Sequence, residues 1–182
     1  GSNPTHPELL EWLAGELVAN DWSLRHIHRL ILMSNTYRQS CNNHKISASI
    51  DPENQWIWRQ NRRRLTAEML RDSMLMVGGN LNRKMYGPGI MPAIPRGAIL
   101  NTQMSAAETW PMLDPDDPES FRRSLYIITK RTMSVPLMKL FDAPDGSISC
   151  EVRTTTTVPT QALALWNSSF VRSQSHRVAE WV

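Results

Sequence analysis

Residues 78–118 hold five of the chain's eight glycines and six of its twelve prolines. No regular helix or strand tolerates that density of residues whose φ is either fixed or unrestricted. A long structured loop is therefore expected across 78–118, and the rest of the chain must build its core around it. Loops of this length are uncommon inside compact domains unless they serve a function. The full length of 182 residues suits one domain and is ample for a hydrophobic core. The expected organisation is a single-domain fragment over 1–182: a helical part at 3–77, the loop at 78–118, and a strand-turn-helix part at 119–182.

Helical periodicity dominates the first part. Thr5 and Glu8 have the spacing of a capping box, so a helix should start there. Leu9, Leu10, Trp12, Leu13, Leu17 and Val18 then make one broad apolar face as far as Ala19. Ser23 can cap a second helix whose stripe is Leu24, Ile27, Leu30, Ile31 and Met33, ending near Ser34-Asn35. The short link at Asn20-Asp21 predicts a helical hairpin. Residues 39–54 are polar and aperiodic, a loop. Residues 53–64 are either a helical turn or an extended approach. A third helix is expected over Leu65–Val77, with Met69, Leu70, Ser73, Met74 and Val77 toward the core and Gly78-Gly79 as its stop.

Beyond the loop, Leu125–Thr129 is an apolar, β-branched run bounded by charge, which reads as a strand. Ser147–Arg153 is its expected partner across the turn Asp142–Gly146. Pro136–Phe141 fits a short helix, Gln161–Trp166 follows Pro159 as another, and a last helix begins near Phe170. The fold class is mainly α, with a minor two-stranded β element: a helical hairpin and further helices around one core.

Composition excludes more than it assigns. With 20 basic and 17 acidic side chains the surplus is +3, and 41% hydrophobic with 20% charged residues describes a globular chain. No apolar run reaches the roughly 18 residues of a membrane helix, so no membrane span is expected. Gly1-Ser2 resembles an expression scar, which marks the chain as an excised piece. Cys41 and Cys150 stand too far apart in sequence for a Cys-x-x-Cys pair, the haem-attachment motif is absent, and two separate thiols are expected. His26 and His28 point to opposite sides of a helix and cannot share a metal, and no metal site is assigned. Asp114–Glu119 lacks the glycine and spacing of a calcium loop.

Several motifs stand in one order: Asn3-Pro4-Thr5-His6-Pro7-Glu8-Leu9-Leu10, Trp22-Ser23-Leu24, Ser34-Asn35-Thr36-Tyr37-Arg38-Gln39-Ser40 and Asn61-Arg62-Arg63-Arg64-Leu65. Phe141-Asp142-Ala143-Pro144, Cys150-Glu151-Val152-Arg153 and Pro159-Thr160-Gln161-Ala162-Leu163 follow. As a set they resemble the domain of unknown function at the C-terminal end of large planctomycetal proteins. Those proteins commonly carry a planctomycete-type cytochrome c domain and sometimes carbohydrate-binding-like modules. The resemblance implies an extracytoplasmic or periplasmic location and other domains of the parent chain as partners. It supplies no catalytic residue, and this piece is expected to hold no cofactor of its own.

The densest local chemistry lies between 130 and 161. Arg131 and Arg153, with Thr156, Thr157 and a helix N-terminus, could hold an anion such as sulfate, phosphate or a sugar carboxylate. The structural alternative is that the arginines pair with Asp142, Asp145 or Glu151 and a threonine caps the helix. Those three carboxylates are the acid/base candidates. Cys150 would need a histidine to act as a nucleophile, and none is near in sequence. Trp56–Arg64 mixes aromatics with base as single-stranded nucleic-acid binders do; the competing reading is arginine stems laid along tryptophan faces. Of seven Trp, Trp12, Trp22 and Trp166 are expected in the core, leaving Trp110 exposed in the loop as a sugar-stacking platform. The methionines Met69, Met74, Met76, Met85 and Met91 are expected to fill core gaps.

Three function classes follow. The leading one is an accessory or interaction module binding a partner domain or a polysaccharide. The second is a catalytic domain acting on an anionic glycan. The third, nucleic-acid binding, is disfavoured because the basic surplus is narrow.

Overall fold

The computed structural model describes residues 3–95, 97, 110–131, 133–146, 148–180 and 182. They cluster into two compact units, Gly1–Arg63 and Arg64–Val182. The division falls inside the stretch that the sequence presents as one N-terminal helical part.

In the first unit, α1 (Pro7–Ala19) starts later than the Thr5 capping box predicted, with His6 as its N-cap and no side-chain cap. A Thr5 cap would have put His6 in helical conformation directly before a proline, which sterics disfavour. Pro7 takes the first helical position instead, and Thr5 Oγ1 lies 3.0 Å from His6 Nδ1. Asp21 and Trp22 then adopt left-handed φ values of 52° and 58°, turning the chain into α2 (Leu24–Met33), where Ser23 Oγ accepts from His26 N as expected. The two helices pack as the predicted hairpin, joined by a 3.2 Å contact of Glu16 with His26.

The aperiodic stretch 39–54 is not loop throughout: α3 (Lys45–Ile50) forms within it, its first turn closed by the His44 ring accepting from Ser47 N. A local cap can nucleate so short a helix without an apolar stripe, which is why periodicity missed it. Residues 53–64 are not helical: turns run through Asn54 and Ile57, at left-handed φ values of 56° and 52°, and 60–64 carries no regular structure. Asp51 and Asn54 hold this approach. The Asp51 carboxylate accepts from Gln55 N and Trp56 N, its carbonyl accepts from Trp58 Nε1, and Asn54 bonds Arg59 on both sides of its amide.

The second unit is built on α4 (Ala67–Val77), capped by Thr66 and closed at Gly79, whose φ of 74° lets Asn80 N reach Leu75 O. Its buried residues are Ala67, Arg71 and Leu75; of the predicted stripe, Leu70 packs partly buried against the core. Met69 and Val77 are 57% and 60% exposed. The rotation is set by Arg71, whose guanidinium donates to Ser120 O at 2.7 Å and Arg122 O at 2.8 Å. Those carbonyls have no partner in a helix or sheet, so a buried donor there satisfies them. Burial pushes the Arg71 pKa down to about 10, with Asp72 opposing, so the side chain stays a cation near neutrality.

Among the described residues the further α-helices are α5 (Pro136–Leu140), α6 (Pro159–Asn167) and α7 (Ser169–Ala179), close to their predicted places. The core joins Ala67, Ile94, Trp110, Met133, Val135, Met138 and Phe141, so the Gly/Pro-rich segment supplies two of its members. Residues 98–109 of that segment lie outside the described residues.

The fold is mainly helical, but the predicted strand pair does not form among the described residues. Ser124–Tyr126 is a 3-10 turn, and 148–153 carries no strand; Ser147 lies outside the described residues. The apolar run finds its backbone partner in the loop: Ile90 N donates to Tyr126 O at 2.7 Å, and Ile128 N donates to Ile90 O at 2.9 Å. Gly89 permits this approach, since a Cβ there would meet Ile128 Cγ1 at 2.6 Å. Arg122, fully buried, closes the arrangement by donating to Pro88 O and Tyr86 O while stacking 3.7 Å from the Tyr126 ring.

Candidate functional site

Where α5 ends, Asp142 takes a left-handed φ of 60° and turns its carboxylate onto the threonine run. Both oxygens accept from Thr156, at 2.7 Å from the backbone N and 2.9 Å from Oγ1. Beneath them sits Gln161, 2% exposed, on the first turn of α6. Its Nε2 donates to Leu140 O at 2.9 Å and to Thr156 Oγ1 at 3.2 Å, and its Oε1 accepts from Val158 N at 3.3 Å. Arg64 completes the cluster, donating to Thr157 Oγ1 and Gln161 Oε1. Thr156, Thr157, Asp142 and Gln161 are each engaged by a neighbour, which is how a structural clamp looks.

The arginine at the threonines is Arg64, not Arg131 or Arg153. Arg153 instead pairs with Glu68 on α4 at 2.9 Å. Burial raises the Glu68 pKa, but the Arg153 hydrogen bond, with bonds from its own backbone and Thr66, outweighs it and holds the carboxyl below its usual 4.5. Arg131 is exposed and has no hydrogen bond or ion pair among the described residues. Thus Asp142, Thr156 and Thr157 converge, while Arg131 and Arg153 do not join them. Arg64 and Gln161 were missed. Gln161 was readable as the residue three positions after Val158, from where it reaches back over the start of a proline-led helix. Arg64 was hidden in the basic run read against the tryptophans, of which Arg59 stacks 4.8 Å from the Trp58 ring.

Asp145, Cys150 and Glu151 line a shallow open depression of about 350 Å³ with Ile148, Ser149 and Val152. Cys150 is a free, exposed thiol whose Sγ lies 3.4 Å from Val152 O; Cys41 is free as well. No group of three or more His, Cys, Asp or Glu among the described residues could hold a metal ion.

The tryptophans reverse the sequence reading. Trp110, expected on the surface, is 1% exposed and donates from Nε1 to Pro92 O at 2.9 Å. The loop folds over it because it is the largest apolar side chain available to fill the space beside α4 and α5. It cannot stack a sugar. Trp12, Trp22 and Trp166, expected in the core, are 51%, 69% and 83% exposed. Of the methionines expected in the core, Met69, Met76 and Met85 are exposed, whereas Met91 packs against the core cluster.

The helices of the first unit expose many apolar side chains. No residue of α1, α2 or α3 is buried. Leu9, Leu10, Trp12 and Val18 on α1, Trp22 in the turn, and Leu24, Leu32 and Met33 on α2 are all solvent-exposed. No helix of the described residues is long and apolar enough to cross a membrane.

A family model described as "Protein of unknown function (DUF1553)" matches residues 1–182. No curated protein and no solved structure matches the chain.

Proposed function

We propose that this chain, which belongs to the family of proteins of unknown function DUF1553, is an interaction module whose N-terminal helical hairpin docks on another domain of a larger protein. The observation that carries this reading is that α1 and α2 bury no residue while Trp12, the turn residue Trp22 and Leu9, Leu10, Leu24 and Leu32 are exposed. A two-helix hairpin gains too little from its own seam to hold such a surface in water; tertiary packing normally provides most of a helix's stability. In this reading the parent is a large planctomycetal protein, extracytoplasmic, in which a cytochrome c domain is among the neighbours. The motif set quoted above supports that setting.

A catalytic role finds less support, because Asp142 gives both carboxylate oxygens to Thr156. The test compares backbone hydrogen exchange of the 182-residue chain with that of a full-length parent. Slower exchange over α1 and α2 in the parent, lost on Trp12→Ser plus Trp22→Ser, is the expected result. Equal exchange in both contexts would overturn the reading.

A further inference from the structure

Among the described residues of Gly1–Arg63 the buried ones are Asp51 and Asn54, and both serve a single turn. The Asp51 carboxylate accepts from Gln55 N at 2.9 Å and from Trp56 N at 2.8 Å. The Asn54 amide closes the turn, donating to Arg59 O at 2.8 Å and Asn61 Oδ1 at 3.0 Å while accepting from Arg59 N at 3.2 Å. Inside it Ile57 holds a φ of 52°, a left-handed conformation that a β-branched residue keeps only when its surroundings impose it. Backbone strain of this kind, over-determined by buried polar ties, gathers where a protein holds a ligand.

What the turn presents is Trp56, 71% exposed. Trp58 is half-buried, donates from Nε1 to Asp51 O at 2.9 Å, and carries the Arg59 guanidinium 4.8 Å from its ring centroid. That stack is the arginine stem on a tryptophan face that the sequence suggested, and it leaves Trp56 as the open platform of the run. Arg59 makes no ion pair among the described residues, and its Nε is buried without a partner. The Asn54 ties fix its backbone three positions from Trp56, so the two Cα atoms lie no more than about 11 Å apart. Arg62 and Arg63 follow, both exposed, and no carboxylate occurs between Asn54 and Arg63.

We propose that this turn binds an acidic polysaccharide, with Trp56 stacked on the apolar face of a sugar ring and Arg59, Arg62 and Arg63 meeting the anionic groups of the chain. An indole held at the surface offers a large apolar face, and a guanidinium fork takes a carboxylate or sulfate through paired hydrogen bonds. A polymer longer than the span from Trp56 to Arg59 reaches both without needing an enclosed pocket. Single-stranded nucleic acid fits less well, since its binders offer successive aromatic platforms and Arg59 already occupies Trp58. This goes beyond the hairpin reading, because it concerns the 51–63 segment and not α1 or α2.

Calorimetry on the 182-residue chain tests it with polygalacturonate, dextran sulfate, uncharged dextran and an oligothymidylate. At least one of the two acidic polysaccharides should bind, at least about tenfold more tightly than dextran. Trp56→Ala, an exposed change that leaves the circular dichroism spectrum intact, should weaken that binding by about tenfold or more. Arg62→Gln with Arg63→Gln should also weaken it and flatten its dependence on salt. Failure of both acidic polysaccharides to bind, tighter binding of the oligothymidylate, or undiminished binding by Trp56→Ala would overturn the proposal. None of these outcomes bears on the exchange experiment for α1 and α2, so the two readings fail separately.

Discussion

The unit Arg64–Val182 buries Trp110, Leu75 and the side chains of Arg71 and Arg122, whereas the buried residues of Gly1–Arg63 are Asp51 and Asn54. Both contain capped helices, so local helix signals are comparable. What differs is what the helices pack against. The second unit folds its irregular segment over α4 and α5 and seals it with side-chain donors. The first leaves its apolar residues on the surface and keeps polar ones for loop stapling. A helix can thus be well specified locally and still lack a core of its own, and such a helix is suited to be completed by a partner.

The largest effect should come from the core. Trp110→Ala removes the largest member of the cluster and leaves Pro92 O without its donor. It should lower the unfolding free energy of the second unit by about 3–5 kcal/mol, measured by urea denaturation. A loss as small as that of a surface substitution would erase the contrast between the units. Next is Arg122→Met, which keeps the volume but strips Pro88 O and Tyr86 O of their buried donor. A cost of about 3 kcal/mol is expected, with faster proteolysis at 80–95. In the first unit, Trp22→Ser at a 69% exposed position should change stability by no more than about 0.5 kcal/mol. A large loss there would mean that the hairpin has an internal core after all.

Much of the helical frame was legible. Ser23, Pro136, Pro159 and the Gly78-Gly79 stop each marked an end that the structure keeps, because caps and glycine stops act within a few residues. Burial was not legible, because it depends on partners far along the chain. Periodicity identified the Met69–Val77 stripe but not which way it would face. That was decided by Arg71 answering carbonyls some fifty positions away, with separations of 49 and 51 in sequence. The Leu125–Thr129 run had strand composition, yet Ile90 from the loop took its hydrogen bonds. At the threonine cluster the residue types were foreseen and the arginine was not, since Arg64 lies 93 positions from Thr157.

The smallest expected effect tests whether surface charge matters to the second unit at all. Glu68 and Arg153 are paired at 2.9 Å with side chains 32% and 44% exposed, so solvent screens them and the pair should contribute no more than about 0.5 kcal/mol. Because the folded-state pKa of Glu68 is depressed below 4.5, that contribution is present above the unfolded value and disappears as pH falls through the folded one. Arg153→Ala should therefore cost a few tenths of a kcal/mol near neutral pH, and nothing once the carboxyl is protonated in both states. Paired urea titrations of wild type and variant near neutral pH and at a pH well below the folded-state pKa of Glu68 separate these cases. If the variant were equally destabilised at both pH values, Arg153 would be acting through its packed stem rather than its charge. The second unit would then owe its stability to burial even at its rim, which would widen the difference from the hairpin unit.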